Sequence, residues 1–336
     1  MTNLTKKNTK QSKIDDLYNQ ALKHYEIEEF DEAQECLQQA LELDPTNMDL
    51  IIGAANFHYD LYEYDKALEY LLKGFELKPT NDVVVRGIAN IYVLLKDFEK
   101  TIEFCEKAFA IDPKDFRAYL IMGSAYFQQQ DIEKAEKLFR NAAEINPESA
   151  DVWFNIGVLH KTLQEFEKAL ENFQKAISLE PEDIMLYFSI AETFEDLEKM
   201  DEAIEYYYKV LEKDPKAFSV LIRLAELHFE RKEFKKSEKC MLEILKLDPE
   251  NHVTQNNLGY IYLAMGDLEK ALKHLNKSIK INPDFPHAWH SFGEYYEKIG
   301  DKEKALECFQ KAVTLDPKNQ EHLEALKELE KKKIEK

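Results

Sequence analysis

Apolar residues in this chain come in short bursts at helical spacing, separated by polar turns. Between positions 150 and 183, Trp153, Ile156, Gly157 and His160 fall at i, i+3, i+4 and i+7, which is one face of a helix. A polar step at Gln164 and Glu165 comes next. Ala169, Phe173 and Ala176 then form a second apolar face at i, i+4 and i+7. The pattern predicts two helices joined by a short turn. Gly157 and Ala169 are small, so the two backbones can approach closely, and Trp153 and Phe173 fill the space left over. The same small pair recurs as Ala21/Ala33, Ala55/Ala67, Gly123/Ala135, Ala191/Ala203, Gly259/Ala271 and Gly293/Ala305. Ala89/Thr101 and Ala225/Ser237 are looser versions, and Gly74 and Ser278 replace an alanine later in the second helix. Local softness is expected there.

Proline sets the period. Nine of the ten prolines, from Pro45 to Pro317, stand 34 residues apart with no insertion. At ordinary proline frequency, nine in one phase by chance is on the order of 10⁻¹⁰. Each proline lacks an N–H and disfavours helix in the residue before it, so each marks a helix end. Two residues later stands a short polar residue suited to cap the next helix: Asn47, Asn81, Asp115, Ser149, Asp183, Asn251 and Asn319. Ala217 and Phe285 break this rule. For the second, Asp284 is the expected cap, with Pro286 in the first turn. Nine repeats are therefore expected over 14–317, beginning at residues 14, 48, 82, 116, 150, 184, 218, 252 and 286. Residues 1–13 read as a disordered tail. Residues 320–336, with Leu323, Leu326 and Leu329 on an otherwise charged helix, read as a cap over the last repeat.

Composition narrows the function. A net charge of −20 argues against nucleic acid, which demands a Lys/Arg excess, and favours basic partners. No apolar run approaches the roughly 18–20 residues of a membrane span. No signal peptide is evident, so cytoplasm is the expected address. Cys36, Cys105, Cys240 and Cys308 match no metal-ligand spacing and fall in non-adjacent repeats, so they read as small buried hydrophobes. No phosphate-binding loop or catalytic constellation stands out. The expectation is a non-enzyme without a cofactor. His24, His58, His160 and His228 recur at one packing position, where other repeats carry Tyr92, Tyr126, Tyr262 or Tyr296, and read as hydrogen-bonded core residues. His287, His290 and Glu294 share one helix face at i, i+3 and i+7, but three ligands on one helix rarely converge and nothing supplies a fourth, so no metal site is expected.

Trp289, Phe292, Gly293, Tyr296, Ala305, Phe309, Ala312 and Pro317 resemble the tetratricopeptide repeat pattern, and the resemblance extends over nearly the whole chain. It implies an all-α fold, an α-solenoid of antiparallel helix pairs wound into a right-handed superhelix. First helices would line a concave groove that holds peptides or proteins. The groove-facing positions then divide into zones. Arg86, Asn90, Arg117 and Leu120 form a polar-basic zone, in which Ile121 and Asp151 stand where a co-chaperone carboxylate clamp has Asn and Lys. Phe154 and Phe188 mark an apolar strip. Glu192 and Glu226 mark an acidic stretch that Arg223 offsets in part. Asn155 and Asn257, with Asn19, share one position and resemble an interrupted asparagine ladder like that of O-GlcNAc transferase. The expected function is an interaction scaffold or adaptor for protein or peptide segments, basic or apolar. The alternatives are a structural subunit of an assembly, or a non-catalytic recognition partner of a separate enzyme such as a glycosyltransferase.

Overall fold

The computed structural model describes the backbone of residues 2–334 and the side chains of residues 10–331. It divides into two compact units, Met1–Pro181 and Glu182–Lys336. Every regular element among the described residues is a helix. The first unit holds α1 (Thr2–Glu26), α2 (Phe30–Leu43), α3 (Met48–Asp60), α4 (Tyr64–Leu77), α5 (Asp82–Leu94), α6 (Phe98–Ile111), α7 (Phe116–Gln128), α8 (Ile132–Ile145), α9 (Ala150–Thr162) and α10 (Phe166–Leu179). The second holds α11 (Ile184–Asp196), α12 (Met200–Lys213), α13 (Phe218–Glu230), α14 (Phe234–Leu247), α15 (His252–Met265), α16 (Leu268–Ile281), α17 (Pro286–Lys298), α18 (Lys302–Leu315) and α19 (Gln320–Ile334). Odd-numbered helices up to α17 are first helices of a pair, and the even-numbered helix after each packs back against it.

The beginning of the chain departs from expectation. Helix α1 runs from Thr2, not from residue 14. No Pro or Gly interrupts the segment 1–13, so nothing in it stops the helix, although the first buried side chain among the described residues is Ile14. The side chains of residues 1–9 lie outside the described part.

Proline fixes both sides of each connection. The chain leaves the second helix and enters the next first helix through an extended N-cap residue. Asn47, Asn81, Asp115, Asp183, Asn251 and Asn319 each accept a backbone N–H of the first turn beyond them. Two expected caps do not form. Ser149 makes no side-chain cap bond, and Phe285, not Asp284, occupies the cap position before Pro286. At α17 the proline replaces a first-turn donor, which lessens the need for a cap. Proline carbonyls are also used: the indole N–H groups of Trp153 and Trp289 donate to the Pro147 and Pro283 carbonyls at 2.7 Å.

Within each pair, small residues let the backbones meet. A Cβ placed on Gly123, Gly157 or Gly293 would come within 2.6 Å of the ring of Phe139, Phe173 or Phe309. Of the four positions expected to be soft, Gly74 has no side chain to pair, and the other three use their hydroxyls. Buried Thr101, Ser237 and Ser278 donate their hydroxyls to the carbonyls of Asp97, Ala225 and His252 at 2.7–2.9 Å. Each buried hydroxyl therefore has a partner.

The turn inside each pair contains one residue in left-handed conformation. These are Glu28, Tyr62, Lys96, Gln130 and Gln164 in the first unit, and Glu198, Lys232, Gly266 and Gly300 in the second, with φ between 58° and 83°. Only two are glycine, so the other seven carry a backbone cost that packing must offset.

In eight of the nine pairs the second helix begins beyond that turn in one of two ways; α12, with Lys199 at its N-cap and Phe194 five residues before, uses neither. His24, His58, His160 and His228 place Nδ1 at 2.6–2.7 Å from the carboxylates of Glu29, Glu63, Glu165 and Glu233. Those glutamates occupy the N-cap of the second helix but make no cap bond. Where tyrosine replaces histidine, aspartate replaces glutamate. Asp97, Asp131, Asp267 and Asp301 accept the N–H of Lys100, Lys134, Lys270 and Lys304. Those lysines lie over Tyr92, Tyr126, Tyr262 and Tyr296, 4.7–5.3 Å from the ring centroid. The longer glutamate reaches the imidazole, and the shorter aspartate caps the helix. Helix-pair stability should therefore show the coupling. His160→Tyr and Glu165→Asp should each speed hydrogen exchange of the α9 and α10 amides, and the double variant should recover most of the loss. Exchange rates of the parent, the two single variants and the double variant measure it, and strict additivity would refute the pairing.

Candidate protein-binding faces

In the first unit, the first helices α5, α7 and α9 together bound an open cavity of about 400 Å³. Arg86, Asn90, Arg117, Leu120 and Asn155 all line it, with Asp151 beside them. The sequence-predicted polar-basic zone is thus assembled in one place, but its groups are not equally available. The Arg86 guanidinium donates to Asp82 at 2.9 Å and to Asp115 at 2.8 Å. Asp115 is buried and also caps α7 through the N–H groups of Arg117 and Ala118. Arg86 is therefore a brace between α5 and α7, and the two aspartates raise its pKa against the opposing effect of burial. Asn90 donates to the Tyr59 hydroxyl at 3.1 Å, and Asn155 donates to the Asp151 carbonyl at 2.8 Å, which leaves its side-chain oxygen available. Arg117 is exposed, lies over the Phe116 ring and makes no ion pair among the described residues. Leu120 is buried at the floor. Phe154 is outside this cavity, half-buried with its ring 5.8 Å from that of Phe173.

In the second unit, Phe188 is likewise half-buried, 5.8 Å from the Tyr207 ring. Arg223 on α13 donates from Nε to both Glu195 carboxylate oxygens at 2.8–3.0 Å and from a terminal nitrogen to Glu226 at 2.9 Å. Hydrogen bonding to Glu195 raises the Arg223 pKa, while burial and the same Glu195 raise that of Tyr207. Glu192 is half-buried on α11. Glu226 and Asn257 line a cavity of about 270 Å³ with Phe229, Tyr260 and Glu230. Phe229 and Tyr260 hold their rings 5.3 Å apart, and Glu230 is exposed with no ion pair among the described residues. A cation entering here would meet aromatic faces and carboxylates together.

Asn257 and Tyr260 also border a cavity of about 300 Å³ formed by α15, α17 and the first turn of α19. His287, His290 and Glu321 stand in it. Burial, reinforced by Glu321 and Glu297, pushes the Glu294 carboxyl up to about 7, whereas Lys298 pulls the other way. Burial lowers the pKa of His290 and of His322. Sequence reasoning missed Glu321 and His322. Their signal was the period itself, since Glu321 stands 34 residues after His287 and so belongs beside it. The four cysteines are free, and burial raises the thiol pKa of Cys105 to about 12 and of Cys240 and Cys308 to about 11.

Models of the tetratricopeptide repeat match residues 14–47, 194–258, 253–285 and 286–319. A model of the tetratricopeptide repeat protein 21 C-terminal ARM domain matches residues 61–223. The chain is a tetratricopeptide repeat protein. Among solved structures, it is similar to the C-terminal part of a TPR repeat-containing protein from Cytophaga hutchinsonii, with 18% identity and a TM-score of 0.61, over 72% of this chain and 99% of that one. It is also similar to a thermophilic TPR protein from Thermus thermophilus, with 22% identity and a TM-score of 0.50, over 55% of this chain and 100% of that one. These likenesses establish the all-α solenoid fold. Comparison with the curated proteins finds no match. No helix among the described residues is long and apolar enough to cross a membrane.

Two consequences for this tetratricopeptide repeat protein can be measured. Arg86→Ala leaves the buried Asp115 carboxylate without its cation, and should destabilise the α5–α7 packing by about 3 kcal/mol. Hydrogen exchange of the α7 amides reads this directly, and an unchanged rate would show that Arg86 is no brace. For Glu294, the folded carboxyl near 7 binds its proton more tightly than the unfolded one at the ordinary 4.5. Its contribution is thus fully present below about 4.5 and is lost as pH rises through about 7. Glu294→Gln should therefore gain in melting temperature over the parent as pH rises across that window, measured with a chelator present. A constant difference would contradict the raised pKa.

Proposed function

We propose that this protein is an interaction scaffold that holds extended protein segments against the first-helix face of each unit. The observation that carries this reading is the cavity on α5, α7 and α9. It is lined by first-helix residues alone, above packing positions that the repeat uses for its own core. Arg117 and Asp151 put both charge signs in it, and Asn155 offers a side-chain oxygen, while Leu120 and Ile121 give an apolar floor. That mixture suits a peptide backbone with alternating side chains better than a lone carboxylate, because Arg86 is already spent and Asp151 repels an anion. In the second unit, Glu226, Glu230, Phe229 and Tyr260 suit a lysine or arginine side chain of the bound segment.

The reading is tested by chemical crosslinking of the full chain in an extract, with partners quantified for the parent, for Arg117→Glu/Asn155→Ala and for Glu230→Lys. These side chains are partly or fully exposed, so the fold is expected to persist. The first variant should lose at least one partner roughly tenfold, and the second should lose basic partners selectively, since a charge reversal at a desolvated contact costs more than about 1.4 kcal/mol. An identical partner set in all three would assign the work to other surfaces, as a structural subunit requires.

A further inference from the structure

The corner where α17 meets α19 gathers three histidines and two carboxylates from two helices. One potential ligand atom from each of His287, Glu321 and His322 lies within 4.8 Å of the other two. His322 is completely buried, and its Nε2 has no hydrogen-bond partner. A buried ring nitrogen left unpaired is costly unless something fills its lone pair or takes its proton. The other nitrogen of the same ring, Nδ1, faces Nδ1 of buried His290 at 3.1 Å. Two such nitrogens share one proton, so one ring donates and the other accepts. His290 in turn places Nε2 at 3.7 Å from Glu321 and 3.9 Å from Glu294.

We propose that His287, Glu321 and His322 form a binding site for a divalent transition metal of the zinc type, which pins α19 to the first turn of α17. Imidazole and carboxylate are a suitable donor set, and three protein ligands leave a fourth position for water. Bonds of about 2.0–2.2 Å require the ligand atoms to close to roughly 3.5 Å. His287 and Glu321 are exposed and free to make that adjustment, whereas His322 is fixed. His290 supplies the outer support that metal-bound histidines commonly have: it holds the His322 ring from behind and is itself oriented toward the two carboxylates. The first turns of α17 and α19 both present partial positive charge here, which opposes a cation. That effect is confined to the first turn and is weak beside direct coordination by an ionised carboxylate. The constant period explains why the ligands meet: α19 begins in the register of a further first helix, so Glu321 falls beside His287.

The test uses the full chain without a polyhistidine tag, titrated calorimetrically with Zn²⁺ and, in parallel, followed by the visible absorption of Co²⁺. The parent should bind one ion with tetrahedral cobalt bands. His287→Ala and Glu321→Ala, both at exposed positions, should each weaken that ion by roughly tenfold or more. Zinc should also slow hydrogen exchange in the first turn of α19 in the parent and not in His287→Ala. Because His322→Ala would open a hole beneath the cap, His322→Gln serves as a packing control and should likewise lose the cobalt spectrum. Absence of stoichiometric binding, or binding that His287→Ala and Glu321→Ala leave unchanged, overturns the proposal.

Discussion

The approach of two helix backbones within a pair limits everything else in this protein. Where the second helix presents Phe139, Phe173 or Phe309, the first helix presents Gly123, Gly157 or Gly293, and no Cβ fits between them. Where the first helix carries Ala21, Ala55, Ala89 or Ala225, the residue opposite is Leu37, Leu71, Cys105 or Met241. In most pairs the filled volume is held roughly constant while its division between the helices changes, which is how close-packed interiors tolerate sequence variation, although Ala89/Cys105 and Gly259/Leu275 fill less. Ala191 opposite Tyr207 departs from that trade. There the extra hydroxyl is turned to Glu195, so the large ring is accommodated by a polar partner rather than by a missing methyl.

The same principle of paired choice governs the connections. A histidine or a tyrosine at one position dictates glutamate or aspartate five residues later, because only one of the two carboxylates reaches its job. The cost of a left-handed residue at Tyr62 or Lys232 is accepted because the turn must close before that partner is reached. Local choices that agree with one another in this way give each pair a single arrangement, and the proline at its end restarts the chain in the same phase.

The fold is legible in the sequence because its signals are backbone signals. Nine prolines, the small residues opposite Phe173 and its counterparts, and the Asn and Asp caps all act through sterics or single hydrogen bonds that depend on sequence spacing alone. The faces are less legible because side-chain availability depends on neighbours from other helices. Arg86 reads as a free cation, yet Asp115 from the next pair consumes it. Phe154 and Phe188 read as groove-facing anchors, yet each lies half-buried against the aromatic residue of its own second helix. Residues 1–13 read as a tail from composition, although nothing in them ends a helix.

Charge on these faces is therefore not the sum of the residues that point there. The chain carries −20 overall, but each unit spends its most buried arginine internally: Arg86 on Asp82 and Asp115, and Arg223 on Glu195 and Glu226. A brace of this kind removes charges from recognition in opposite-sign pairs or triads. What remains available is set by the unspent groups, Arg117 and Asp151 in the first unit and Glu230 in the second. The first face then offers both charge signs and the second an unspent acid. A partner segment would be discriminated by these few exposed groups, while the much larger acidic surface acts mainly on solubility and on the rate of encounter.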